Sequence, residues 1–167
     1  VDLDDYLKMI SYKTAVLVGA SLDMGSIICN ASLQDQERIY NFGLNLGIAF
    51  QLQDDYLDTF GTEDFGKKIG GDIIEGKKTF LYIKTLELAD SEDQELLLNL
   101  YANEPDEDKK ISAVKTIIVK YGVSDLLLTE IQKFTMKALS EIDSLSLDAS
   151  KQSLLKDFAM SLMTRKT

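Results

Sequence analysis

Residues 32–60 read SLQDQERIYNFGLNLGIAFQLQDDYLDTF, and this stretch decides the fold class. Ser32, with Asp35 three positions on, forms a helix N-cap followed by an acid that can answer it. No proline follows, so the pattern predicts one long helix to about Phe60. Gly43 and Gly47 sit inside it, four residues apart. Each costs about 1 kcal/mol relative to alanine in a helix interior. Close packing against a neighbouring helix is the expected compensation.

Upstream, Leu3, Tyr6, Leu7, Ile10, Ala15, Val16 and Val18 predict a mostly buried helix over residues 3–20. A short second helix is expected over residues 22–29. Downstream, five of the ten glycines fall between Gly61 and Gly76, and residues 62–78 read as a polar loop. Helical spacing resumes over residues 79–89, 94–102, 111–121, 126–142 and 153–163. Pro105 is the single proline, and no strand alternation occurs. The reading is all-α: one helical bundle over residues 1–167.

Composition narrows the function. A hydrophobic fraction of 45% with 28% charged residues is that of a folded chain rather than a disordered one. No apolar run reaches the roughly 20 residues of a membrane span. A net charge of −10 argues against nucleic acid as partner. The lone Cys29 gives no internal disulfide and fits a reducing, cytoplasmic setting. With no histidine, any metal is a hard cation held by carboxylates.

The chemistry concentrates at the end of the long helix. Asp54 and Asp58 are four apart and Asp55 and Asp58 three apart, so the three carboxylates share a face, with Gln51 one turn earlier. Clustered like charges are unfavourable unless a cation neutralises them. Mg²⁺ is the natural candidate, since it binds through one or two carboxylates together with substrate phosphates. Taken alone, the motif reads equally as a solvated acidic helix end. Its neighbourhood alters that balance. No basic residue lies between Arg38 and Lys67, and then Lys67, Lys68, Lys77 and Lys78 arrive within twelve positions. Lysines on a glycine-rich loop beside a carboxylate-held cation outline a phosphate clamp.

The run Asp54-Asp55-x-x-Asp58, Gly66-Lys67-Lys68-Ile69-Gly70-Gly71-Asp72-Ile73 and Gly76-Lys77-Lys78-Thr79 resembles the second aspartate-rich region of the trans-isoprenyl diphosphate synthases, or polyprenyl synthetases. Lys13-Thr14-Ala15 resembles the Lys-Thr pair of that family's earlier helix. The resemblance implies a bundle of the isoprenoid synthase type and a prenyltransferase. Such enzymes ionise an allylic diphosphate, join the cation to isopentenyl diphosphate and release a proton. Carried over by residue, Asp54, Asp55 and Asp58 would hold Mg²⁺. Lys13, Lys67 and Lys77 would hold the allylic diphosphate, with Lys13, Thr14 and Gln51 at the reacting centre. Asp72 would orient a lysine. The family is typically dimeric, so a homodimer is expected.

Two parts of the family pattern are missing: the first aspartate-rich motif, and the Gly-Lys-Arg segment for isopentenyl diphosphate. Asp2-Leu3-Asp4-Asp5 has the wrong spacing and reads as an acidic helix start, favoured by the helix dipole. Family members are also about twice this length, and the chain opens on Val1. The expectation is the C-terminal portion of a longer synthetase, an incomplete bundle inactive by itself. Tyr6, Ile10, Leu17, Phe42 and Leu46 are then candidates for an exposed apolar face. Alternatives are a terpene cyclase relative and a non-catalytic helical partner of a synthase. Lys109 and Lys110 read as solvated helix-end charges. Cys29, Met136, Met160 and Met163 read as core.

Overall fold

A computed structural model describes residues 2–62 and 69–164. Among them every regular element is helical, as the sequence predicts. In chain order these are α1 (Leu3–Ile10), a π-helical turn (Ser11–Ala15), α2 (Val16–Ile28), α3 (Leu33–Phe60) and α4 (Gly71–Ile74). Then follow α5 (Phe80–Leu88), α6 (Ser91–Asn103), α7 (Glu107–Lys120), α8 (Val123–Asp143) and α9 (Ala149–Met163).

Helix starts follow local chemistry. Asp2 Oδ1 accepts the Asp5 amide at 2.8 Å and opens α1. Ser32 Oγ accepts the Asp35 amide at 3.1 Å and donates to the Asp35 carboxylate at 2.8 Å, which sets the start of α3. Asp90, Asp106 and Asp148 cap α6, α7 and α9 in the same way. Each cap satisfies an amide that has no partner inside its helix.

Helices α6, α7, α8 and α9 begin three or four residues before their expected starts, and two further features differ from expectation. The break near residue 21 is absent, because the Ser21 hydroxyl donates back to the Leu17 carbonyl at 2.7 Å instead of capping a new helix. The irregularity lies earlier, in the π turn that carries Lys13 and Thr14. The stretch read as polar loop also contains α4.

Contacts gather into two compact units. One unit is residues 2–6 with Asp54–Thr129. Here α4 and α5 pack on α7, and α6 packs on α5 and α7. Ile73, Phe80, Leu81, Leu97, Val114, Ile117 and Ile118 form buried contacts of these helices. The other unit is Leu7–Gln53 with residues 130–164. Its core joins Ile39, Phe42 and Leu46 of α3 to Ala138 and Ile142 of α8, Leu145, and Ala159 of α9. The two glycines of α3 serve the close packing the sequence implies. A Cβ on Gly43 would lie 2.8 Å from the Gly19 Cα, and one on Gly47 would lie 2.6 Å from the Ala15 Cα.

The expected exposed face is corrected. Tyr6, Ile10, Phe42 and Leu46 are buried, and only Leu17, at 69% exposure, lies open. Phe42 and Leu46 are held by Ile142 and Ala159, contacts distant in sequence that the local pattern does not reveal. Along α2, Leu17, Met24 and Ile28 are open apolar side chains. Cys29, Met136 and Met160 are exposed rather than core, while Met163 packs against the core.

Gly47→Ala separates packing from propensity. The methyl gains about 1 kcal/mol of helix propensity. It also meets backbone atoms that have no room to yield, and overpacking costs about 1–3 kcal/mol. Net destabilisation is expected in urea unfolding. Gly25→Ala, where nothing lies within 4 Å, should be neutral or stabilising. Equal midpoints for the two variants would contradict the close approach.

Candidate active site

In the unit of Leu7–Gln53 with residues 130–164, the π turn and α3 supply one set of candidate residues. A π turn inserts one residue into the helical ladder and re-aims the side chains around it. Gly47 lets α3 meet this turn with no side chain between. One helical turn further along α3, Gln51 Oε1 accepts the Thr14 hydroxyl at 3.2 Å. Both residues are half-buried, and Lys13 is exposed. The structure thus brings Thr14 and Gln51 together.

The acids belong to the other unit, on the last two turns of α3. Asp55 is buried, and its Oδ2 accepts the Tyr6 hydroxyl. Burial pushes the Tyr6 phenol up, and the neighbouring Asp55 carboxylate pushes it further, so Tyr6 keeps its proton and donates. Asp58 is engaged by the segment after the helix. Its Oδ2 accepts the Asp72 amide at 2.9 Å, and its main-chain carbonyl accepts the Gly70 amide at 2.6 Å. Gly70 is required there: its φ is +82°, and a Cβ would come 2.7 Å from the Ile111 side chain. Burial raises the Asp58 carboxyl above its ordinary range. The charges of Asp72 and Asp54 push the same way, against the Asp72 amide and Lys77.

Asp72 passes the connection to a base. Lys77 Nζ lies 2.7 Å from Asp72 Oδ1 and 2.9 Å from Glu75 Oε2. Its hydrogen bonds to Asp72 and then Glu75 hold its ammonium above the usual lysine range, so it stays charged. Asp58, Asp72 and Lys77 therefore form one chain of contacts, in which the Asp72 carboxylate pairs with the Lys77 ammonium. Lys67 lies outside the described residues.

The three acids are not equivalent. Asp54 and Asp58 are close enough for their charges to interact, while Asp55 is turned to Tyr6. Among the described residues no group of three or more acidic or cysteine side chains is arranged to hold an ion. Two half-buried carboxylates one turn apart, with the nearby Asp72 held by Lys77, are a donor set that suits Mg²⁺. That ion takes one or two carboxylates and fills its remaining positions with water and phosphate oxygen.

Two residues of this unit escape the sequence reading. Tyr6 belongs to the expected exposed face, yet it shares a helix face with Ile10 and is buried with it. Lys109 is exposed and pairs with Glu104, as a helix-end charge should. Lys110 is buried. Its spacing from Val114, Ile117 and Ile118 places it on the apolar stripe of α7, a signal present in the sequence.

A family model described as polyprenyl synthetase matches residues 1–118. The chain belongs to the polyprenyl synthetase family. It is 39% identical over 143 residues to the geranylgeranyl diphosphate synthase of Sulfolobus acidocaldarius, an alignment covering 85% of this chain and 43% of that protein. A solved geranylgeranyl pyrophosphate synthase superposes with a TM-score of 0.91 at 43% identity, over 100% of this chain and 53% of the other. A polyprenyl synthase from Caulobacter crescentus CB15, solved with calcium and isoprenyl diphosphate, gives a TM-score of 0.91 at 26% identity over 100% and 51%. The chain thus spans about half the length of these family members.

The raised carboxyl of Asp58 has a pH signature. Its stabilising contribution is fully present below the ordinary value of 3.8 and is lost as pH rises through the higher folded-state value. Asp58→Asn keeps an oxygen for the Asp72 amide and removes the charge. Without divalent cations, the variant should melt at or above the wild-type temperature at pH 7. That advantage should vanish below about pH 4, where Asp58 is already protonated. A melting temperature that falls at pH 7 would show that the ionised form is favoured.

Proposed function

We propose that a protein carrying this chain is a trans-polyprenyl diphosphate synthase. It would join an allylic diphosphate to isopentenyl diphosphate and so lengthen a polyprenyl chain by five carbons. The supporting observation is the contact chain Asp58–Asp72–Lys77, which ties the acid motif to the lysine turn within the region matched to the family.

Each residue has a part in this scheme. Lys13, Lys67 and Lys77 bind the diphosphate of the allylic substrate. The allylic C–O bond breaks, and its electron pair leaves with the diphosphate. Thr14 and Gln51 turn oxygen atoms towards the developing cation and orient it. The isopentenyl double bond then attacks, and the released diphosphate takes up the proton whose loss gives the new double bond. Asp54, Asp55 and Asp58 would hold Mg²⁺, which neutralises charge on the diphosphate when bound. Much of the catalysis is electrostatic and requires little water at the reacting atoms. Residues 1–167 are one all-helical domain in this proposal, the part of a synthetase that bears the second aspartate-rich motif. A homodimer in the cytoplasm belongs to the same reading. Among the described residues no helix is long and apolar enough to cross a membrane.

Radiolabelled isopentenyl transfer in the full-length protein tests the scheme. Asp54→Ala should lower turnover on the order of a hundredfold or more. Its melting temperature without Mg²⁺ should hold or rise, since one of several like charges is gone. Unchanged turnover would refute the assignment, and a large loss of stability would make Asp54 structural. The 167 residues alone lack the first aspartate-rich motif and the isopentenyl-binding bases. They should give no transfer and bind Mg²⁺–pyrophosphate no better than roughly millimolar, about −4 kcal/mol. Turnover by the 167 residues alone would show that those groups are dispensable.

A further inference from the structure

Lys110 is 6% exposed, among the apolar side chains of α7. A buried ammonium is unfavourable unless polar groups meet it. Here main-chain oxygens and a ring do so. Its Nζ lies 3.4 Å from the Ile74 carbonyl, 3.5 Å from the Tyr101 carbonyl and 5.2 Å from the centre of the Tyr101 ring. Ile74 is the last residue of α4, and Tyr101 is in the last turn of α6. Carbonyls at these positions have no partner inside their own helices. Lys110 therefore fastens α7 to the ends of two others.

One of those ends leads directly to the lysine turn. After Ile74 come Glu75, Gly76 with φ +68°, and Lys77. The Lys77 amide donates to the Asp72 carbonyl at 2.9 Å, and its ammonium lies on the Asp72 carboxylate. Asp58 holds the start of α4 through the Asp72 amide. The four-residue helix is far too short to be stable by itself. It depends on being held at both ends, by Asp58 at one and Lys110 at the other.

We propose that Lys110 is a positioning residue for Lys77: by binding the Ile74 carbonyl it fixes the exit of α4 and sets the Lys77 ammonium where a diphosphate is held. This rests on the diphosphate-binding role proposed for Lys77. Lys110 itself touches no substrate. Methionine of similar length fills the same space but offers no donor to the two carbonyls. Arginine keeps the charge and donors while displacing them.

Two measurements on the full-length protein decide the matter. The first is calorimetric binding of Mg²⁺–pyrophosphate by wild type, Lys77→Ala, Lys110→Met and the double variant. Lys110→Met should weaken binding roughly tenfold, the size of one lost charge-assisted contact. The double variant should bind no worse than Lys77→Ala alone, because Lys110 acts through Lys77. Additive losses, or binding unchanged in Lys110→Met, would overturn the proposal. The second is amide hydrogen exchange without ligand. The Lys77 amide should exchange about tenfold faster in Lys110→Met, while the Asp72 amide held by Asp58 changes less. Unchanged exchange at Lys77 would overturn the proposal. If Lys110→Met fails to fold, Lys110→Arg replaces it. The expected result is then a smaller loss of affinity that disappears in the Lys77→Ala background, and persistence of the loss there would overturn the proposal. Wild type that binds no pyrophosphate would refute the prenyltransferase reading itself, and the exchange data would still judge the positioning of Lys77.

Discussion

At Gly47 a single added methyl would lie 2.6 Å from the Cα of Ala15, so α3 and the π turn meet backbone to backbone. This approach sets much of the geometry of its unit. Gln51 stands one turn beyond Gly47 and Thr14 one residue before Ala15, so the hydrogen bond between them is a consequence of the contact of the two backbones. The π turn and the glycine act together. A regular helix at residues 11–15 would aim Thr14 differently, and a side chain at position 47 would move Gln51 away. Two local irregularities, each unfavourable by itself, together place two polar side chains.

The other unit depends on charge. Asp54, Asp58 and Asp72 lie close together, and burial raises Asp58. A short helix, α4, is built on this arrangement, with Asp58 receiving its first amides and Asp72 holding Lys77. Lys77 offsets part of the repulsion. On the proposed function, a cation at the acids and a diphosphate at the lysine would complete the balance.

Features set by neighbours in sequence are legible in it, and features set by distant contacts are not. Ser32 and Asp35 announce the start of α3, and Gly43 and Gly47 announce close packing, because helical spacing alone carries that information. The acids and the Gly70–Lys77 turn are legible because the family motif is contiguous. Tyr6 meets Asp55 across 49 residues, and Lys110 meets Ile74 across 36. No local pattern reports such pairs. The assignment of Phe42 and Leu46 to an exposed face fails for the same reason, since their partners lie on α8 and α9.

Lys109 and Lys110 show how one position along a helix divides two roles. Lys109 projects into solvent and pairs with Glu104, an exposed contact of the kind that contributes little to stability. Lys110, turned by about 100° on the helix, falls on the apolar stripe and is buried. A leucine there would pack without any desolvation penalty. Lysine does what leucine cannot: it supplies donors to carbonyls at the ends of α4 and α6, groups whose burial without partners is unfavourable. Its burial is the consequence of three helices ending or passing at one place, and main-chain oxygens meet its amine there. An acid as partner would add a further negative charge near Asp58 and Asp72, where burial and then the neighbouring acids already raise Asp58. Carbonyl oxygens satisfy the ammonium without that cost, which is why a base held by main-chain oxygens suits this position beside a site crowded with carboxylates.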